Sequence, residues 1–470
     1  MTHPLPPGPV PLPDVGNSLE YRKDRLGFVT RQYETYGPTS TMYFGTTPVV
    51  LISRPTTIRK VLVDESNKFS KGEYVQNRAL FSGDTTLSLH HREKAPVARC
   101  CGCGQEQSLF STDGEAHDRA RSSLLEAFHG PAMERYRQIM VDHTREMLAG
   151  WEVGRELELT GAMQRLAASI VFETLFGINI QERSADIVQA YKSVLKHSDA
   201  LYESAKSAED ARKEEAWSGL MALVDEIVQG AAARNADGKS TLLVDLILRG
   251  APASRANDTV RDQVTAFMGA GQVTVSSLLI WAISLLAQHP DVLSKVTEEV
   301  CTVLNGAAPL TTDMPRMPYL DWVVKEALRL YPTVWMHGRR AMEDVQLEDW
   351  HLAAGTFVFF SEWITQRSDE YFSEPLKFIP ERFAPKSPYL HTPMAYFPFG
   401  MGARACIGTG FAILEAKVVL SLVLQHFLPV LTDGGQLSPN TFYAFLQPRG
   451  EVTIKLERVP TQKIEAVTAV

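Results

Sequence analysis

One cysteine near the C-terminus, Cys406, lies in a run crowded with glycine and proline: Tyr396-Phe397-Pro398-Phe399-Gly400-Met401-Gly402-Ala403-Arg404-Ala405-Cys406-Ile407-Gly408. A largely apolar stretch, Phe411 to Leu420, follows at once. That order reads as a tight loop feeding a helix N-terminus. Glycine lets the backbone take positive φ and approach a ligand closely. A thiol near a helix N-terminus feels the positive end of the macrodipole, which favours the thiolate. Such a thiolate can ligate a metal. The plain alternative for a lone cysteine is a buried structural thiol.

Three other groups have chemistry in their spacing. His117 and Arg121 are four apart and share one helix face, which alone reads as a solvated basic face. Glu326 and Arg329 are about one helical turn apart and can pair, worth about 0–1 kcal/mol if exposed. Gly269 and Gly271 sit in the middle of a helical pattern, each at a cost of roughly 1 kcal/mol relative to alanine. They signal either close helix packing or a distortion that makes room for a ligand.

The spacing of Phe399, Gly402, Arg404, Cys406 and Gly408 resembles the haem-binding signature of the cytochrome P450 family, F-x-x-G-x-R-x-C-x-G. The resemblance implies that Cys406 is the axial ligand of haem b iron, with Phe399 packed near the sulfur, Gly408 in the loop, and Arg404 on a propionate. In that family the thiolate pushes electron density that favours O–O cleavage. The resemblance extends to His117 and Arg121 as a propionate pair, and to Arg339, with Arg340 beside it, as the propionate arginine. It joins Glu326, Arg329 and Arg382 (in Pro380-Glu381-Arg382-Phe383) into a buried triad that fixes the cysteine loop.

Gly269-Ala270-Gly271-Gln272-Val273-Thr274 resembles the family's oxygen-activation motif A-G-x-[DE]-T. Ala270, Gly271 and Thr274 match, while Val273 stands where the acid belongs. A valine side chain neither donates nor accepts a proton. Proton delivery is therefore expected through water, Gln272 or the substrate's own hydroxyl. Val334 and Trp335, on the strand after Pro332, are candidate substrate contacts or ordinary core. Phe445 and Leu446, in a last hairpin over 442–450, are expected to reach the pocket mouth.

The elements that must position these residues follow from periodicity. Thr39–Phe44 and Pro48–Ile52 read as two strands around a turn at Gly45. The pattern is helical over 134–177 and 182–230, and from Asp258 to His289, with Asn257 and Asp258 as N-cap candidates and Pro290 as the stop. The last of these would span about 48 Å. The implied fold is mainly α with a small β-rich subdomain, the cytochrome P450 fold. Residues 1–18 form a Pro-rich arm, 19–460 a single haem domain, and 461–470 a tail. Residues 84–108, with His90, His91, Cys100, Cys101 and Cys103, read as an atypical insertion before the propionate helix, poorly spaced for a metal site.

Bulk properties agree. Apolar residues make up 44% and charged residues 22% of 470, so a large core can form. A formal charge of −8 argues against a nucleic-acid binder. Five cysteines, unevenly spread, suit a reducing cytosol. The N-terminus has no signal-peptide pattern, and no run of about eighteen or more apolar residues occurs, so no transmembrane anchor is expected. The resemblance implies a bacterial, cytoplasmic, monomeric monooxygenase of apolar or amphipathic organic substrates. Its electrons would come from an external ferredoxin or flavodoxin with its reductase. Two rivals remain open: a haem-thiolate catalyst of coupling, isomerisation or peroxide chemistry, and a haem or metal sensor.

Overall fold

The computed structural model describes residues 4–71, 109–110, 112–200, 208–234, 242–250, 256–389, 392–432, 437–442 and 444–460. The insertion expected at 84–108 lies outside the described residues, as does the tail at 461–470.

Helices dominate, and their ends are written in the sequence. Pro131, Pro290 and Pro318 each open a helix at its first turn, where a missing N–H costs nothing. Gly177 closes the helix Leu159–Phe176 with φ 72° in the left-handed region. The longest helix, Ala256–Gln288, runs through the core and packs against Leu159–Phe176, Pro318–Leu330 and Thr409–His426. It begins before the expected cap, so Asn257 and Asp258 lie inside its first turn. The pattern over 134–177 is two helices, Pro131–Ala149 and Leu159–Phe176, because glycines at 150 and 154 break the first and a short strand intervenes.

Two helices are long and apolar enough to cross a membrane by length and composition alone, Val260–Gln288 and Thr409–His426. Within the fold 78% and 67% of their apolar windows are buried, so their apolarity is that of core helices.

The strands, in chain order, are β1 Thr39–Phe44, β2 Thr47–Ile52, β3 Phe69–Ser70, β4 Glu156–Glu158, β5 His337–Ala341, β6 Val345–Leu347, β7 Trp350–Leu352, β8 Phe357–Phe360, β9 Phe427–Leu431, β10 Pro439–Phe442, β11 Phe445–Pro448 and β12 Thr453–Arg458. The main sheet has the order β1-β2-β8-β5-β3. The β1–β2 hairpin turns at Gly45, whose φ of 59° suits glycine. β2 runs parallel to β8, and β5 antiparallel to it, which carries Arg339 and His337 to the edge of the helical core. β10 and β11 form the expected last hairpin.

Candidate active site

The segment 396–408 is a loop held at both ends. Gly400 donates to the Phe397 carbonyl at 2.8 Å, and the Cys406 N–H donates to Phe399 at 2.8 Å. Gly402 takes a φ of 69°, and a β-carbon there would run into the Leu62 carbonyl. The loop feeds the helix Thr409–His426, so Cys406 sits just before a helix N-terminus as its sequence predicts.

The Cys406 side chain is exposed and lines the main cavity. Desolvation pushes its thiol upward, while the Gly408 N–H, the Thr409 hydroxyl and the charges of Lys71 and Arg121 pull it down.

The middle of the long helix forms another part of the cavity wall. Ala270, Gly271 and Thr274 line the cavity, together with Ala266, Val275 and Leu278. The Thr274 hydroxyl donates to the Ala270 carbonyl at 2.6 Å, which leaves its lone pairs as an acceptor on the cavity side. Gln272 does not line this wall. It is buried, two residues from Ala270 and so about 200° around the helix, and its side-chain oxygen has no hydrogen-bond partner among the described residues. That corrects the expectation of a proton route through Gln272. Val273 is also buried away from the lining. Tyr191, which sequence reasoning missed, does line it, and a β-carbon at Gly269 would collide with the Tyr191 hydroxyl. The mid-helix glycine was the only available signal of that neighbour.

Basic side chains surround the space between these walls. His117, Arg121, Arg339 and Arg404 line it as expected, and so does Lys71, which no motif announced. Among the described residues no Asp or Glu lines it. Burial holds His117 below the usual imidazole range, and Arg404 and Lys71 push the same way, while Asp118, 2.9 Å from Nδ1, opposes them. Arg404 also donates to the carbonyls of Leu109 (3.2 Å) and Thr112 and pairs with Asp113, so it ties the cysteine loop to the residues before helix Gly114–Leu124. Arg340 lies outside the lining and donates to the Gly355 carbonyl at 3.3 Å.

Of the candidate substrate contacts, Val334 and Phe445 line the cavity and face each other across a β-bridge. Trp335 does not. It has no accessible surface and packs in the sheet core with Met42, Phe359 and Leu446. In extended backbone, neighbours point to opposite sides, so Val334 toward the cavity sends Trp335 away from it. The same alternation puts Phe445 at the cavity and Leu446 in the core, against the expectation for Leu446.

Behind the loop, Glu326, Arg329 and Arg382 are fully buried and meet. Glu326 accepts from Arg329 at 2.7 and 2.9 Å and from Arg382 at 2.9 Å. The two guanidiniums also donate to the carbonyls of Gln366, Ser373, Glu374, Pro375 and Lys377, so the triad clamps the segment between β8 and the cysteine loop.

A thiol open to the cavity, an apolar wall bearing a hydroxyl, and basic side chains without acids among the described lining residues fit a flat apolar group that carries carboxylates and a thiolate-ligated metal. Haem has that chemistry. A family model described as "Cytochrome P450" matches residues 6–456. The chain is 27% identical to cyclooctat-9-en-7-ol 5-monooxygenase of Streptomyces melanosporofaciens, over 90% of this chain and 88% of that protein. It is also 27% identical to pentalenene oxygenase of Streptomyces avermitilis, over 94% and 95%. The fold superposes on cyanobacterial CYP120A1, solved with retinoic acid bound, with a TM-score of 0.81 at 23% identity, covering 97% of this chain and all (100%) of that one. With the model spanning nearly its whole length, this chain belongs to the cytochrome P450 family of haem-thiolate monooxygenases.

Proposed function

We propose that the chain holds haem b through Cys406 and oxidises an apolar or amphipathic organic substrate. Its electrons come from a separate ferredoxin or flavodoxin with its reductase, and it works as a monomer in a bacterial cytoplasm. One observation carries this reading: Cys406 lines the same cavity as Ala270, Gly271 and Thr274 of the long helix. When bound, the haem supplies dioxygen activation at its iron. The chain does the rest. The Cys406 sulfur ligates, and His117, Arg121, Arg339 and Arg404 hold the carboxylates. Phe267, Leu278, Val334 and Phe445 exclude water and orient an apolar substrate. The Thr274 hydroxyl, its hydrogen committed to Ala270, accepts a proton-bearing water at the reacting position. Among the described residues no acidic side chain lines that wall, so protons travel through water.

The substrate reading is supported by two Streptomyces relatives whose names give an alkene and an alkenol. A substrate of that kind fits the apolar part of the lining, which includes Phe110, Phe267, Leu278, Val334 and Phe445. The test is spectroscopic and isotopic. The reduced CO complex should show the thiolate-type Soret shift and lose it in Cys406→Ser. Turnover with a redox partner should then incorporate ¹⁸O from ¹⁸O₂ into product. Label-free product, or turnover supported by peroxide but not by dioxygen with a redox partner, would sink the monooxygenase reading.

A further inference from the structure

Two titratable side chains, Glu362 and His337, carry enclosed polar atoms with no hydrogen-bond partner among the described residues. Glu362 opens the short helix Glu362–Thr365, has no accessible surface, and leaves both carboxyl oxygens unbonded. His337, on β5, lines the cavity. Its Nε2 is enclosed, unbonded, and 3.5 Å from Glu362 Oε1. A small side-chain rotation would close that gap to a hydrogen bond.

The chemistry of the pair follows from its burial. An unpaired carboxylate in such a place is costly, so the group keeps its proton. Burial holds the Glu362 carboxyl well above the usual range, and its own backbone N–H and the nearby Arg339 charge only partly offset this. Burial, with Lys71 and Arg339 adding to it, keeps the His337 imidazole neutral. A neutral carboxyl has one O–H to give, and the acceptor in front of it is His337 Nε2. That choice fixes the tautomer: Nε2 accepts, and Nδ1 carries the hydrogen. Since His337 lines the cavity, Nδ1–H is the group left to meet a ligand.

The neighbours say what that ligand is. His337 and Arg339 lie on the same face of β5, about 6.6 Å apart along the strand. Lys71 contributes positive charge to the same place, and no acid lines the cavity. A neutral donor beside a guanidinium suits an acceptor that is itself anionic.

We propose that Glu362 and His337 form a positioning pair in which Glu362 sets the imidazole so that its Nδ1–H donates to the haem carboxylate facing Arg339. The pair thus helps retain the haem and biases its potential. This rests on the haem reading above.

Four variants test it: His337→Phe, His337→Gln, Glu362→Leu and Glu362→Gln. The readouts are the rate of haem transfer to excess apomyoglobin and the midpoint potential, both without substrate. Loss of one hydrogen bond to a charged group should speed haem loss about tenfold. His337→Phe and Glu362→Leu should show this together with a lower midpoint potential. His337→Gln keeps a donor at the cavity, and Glu362→Gln keeps an N–H for Nε2, so both should stay near wild type.

The proposal is overturned if His337→Phe keeps the wild-type haem-loss rate and potential. It is equally overturned if all four variants lose haem alike, since packing would then explain them. A third overturning result is unchanged haem behaviour with weaker Soret-shift binding of a long-chain carboxylate relative to its alcohol, which assigns the donor to substrate. The CO spectrum separates the two readings: a thiolate-type band in wild type upholds the haem reading whatever the variants do.

Discussion

Gln366 accepts the Phe397 N–H on its side-chain oxygen at 3.0 Å. Its amide nitrogen donates to the carbonyls of Leu328 and Arg329 at 3.0 and 3.1 Å. One buried side chain thus joins the end of the helix Pro318–Leu330 to the start of the cysteine loop. Gln366→Leu would leave those groups without partners, at about 1–3 kcal/mol per orphaned group. The expected outcome is a lower urea midpoint and less haem per protein. A midpoint equal to wild type would show that the loop is held elsewhere.

The triad predicts a sharper loss. Glu326→Ala would leave Arg329 and Arg382 buried without their carboxylate, and removing one partner of a buried pair costs about 3–5 kcal/mol. Both guanidiniums also hold backbone carbonyls over 366–377, so the segment they clamp should loosen with them. Purified Glu326→Ala should contain little haem by pyridine haemochrome assay. Full haem loading would remove the triad from the account of the loop.

Where sequence and structure part company, the reason is geometric. The cysteine loop, the triad and the long helix were legible because each is a local pattern: fixed offsets, an i,i+3 pair, an apolar period ended by proline. Gln272 and Trp335 failed because a motif does not state which way a side chain points; 100° per residue on a helix and alternation on a strand decide that. Lys71, Tyr191, His337 and Gln366 went unread because their partners are distant in sequence. His337 faces Glu362 only through the pairing of β5 with β8, and Gln366 meets Phe397 only once the triad has folded the segment between them.

The mid-helix glycine has a testable partner. A β-carbon on Gly271 would sit 2.7 Å from Val171 Cγ2 on the neighbouring helix Leu159–Phe176. Gly271→Ala should therefore overpack the core, at about 1–3 kcal/mol. Val171→Ala removes the obstructing methyl, so the double variant should recover much of the loss. A double-mutant cycle by urea unfolding measures the coupling. Simple additivity would mean that glycine is needed at 271 for something other than Val171.

Glu415 supplies a prediction whose sign can be worked through. It lies on the helix Thr409–His426, has no accessible surface, and neither oxygen finds a partner among the described residues. Burial alone raises its carboxyl well above the ordinary glutamate value of 4.5. Below that value both the folded and unfolded chains hold the proton, and the residue adds no pH-dependent cost. As pH rises through it, the unfolded chain ionises while the folded chain keeps its proton. The unfolded state then gains about 1.4 kcal/mol per pH unit, until the folded value is reached. Glu415→Gln has the same shape and no proton to lose. Thermal unfolding of the holoprotein at pH 5, 6, 7 and 8 should show a variant close to wild type at the acid end and increasingly more stable toward pH 8. If the two stability curves run parallel, the Glu415 carboxylate is charged in the folded protein and the cation that pairs with it must be found.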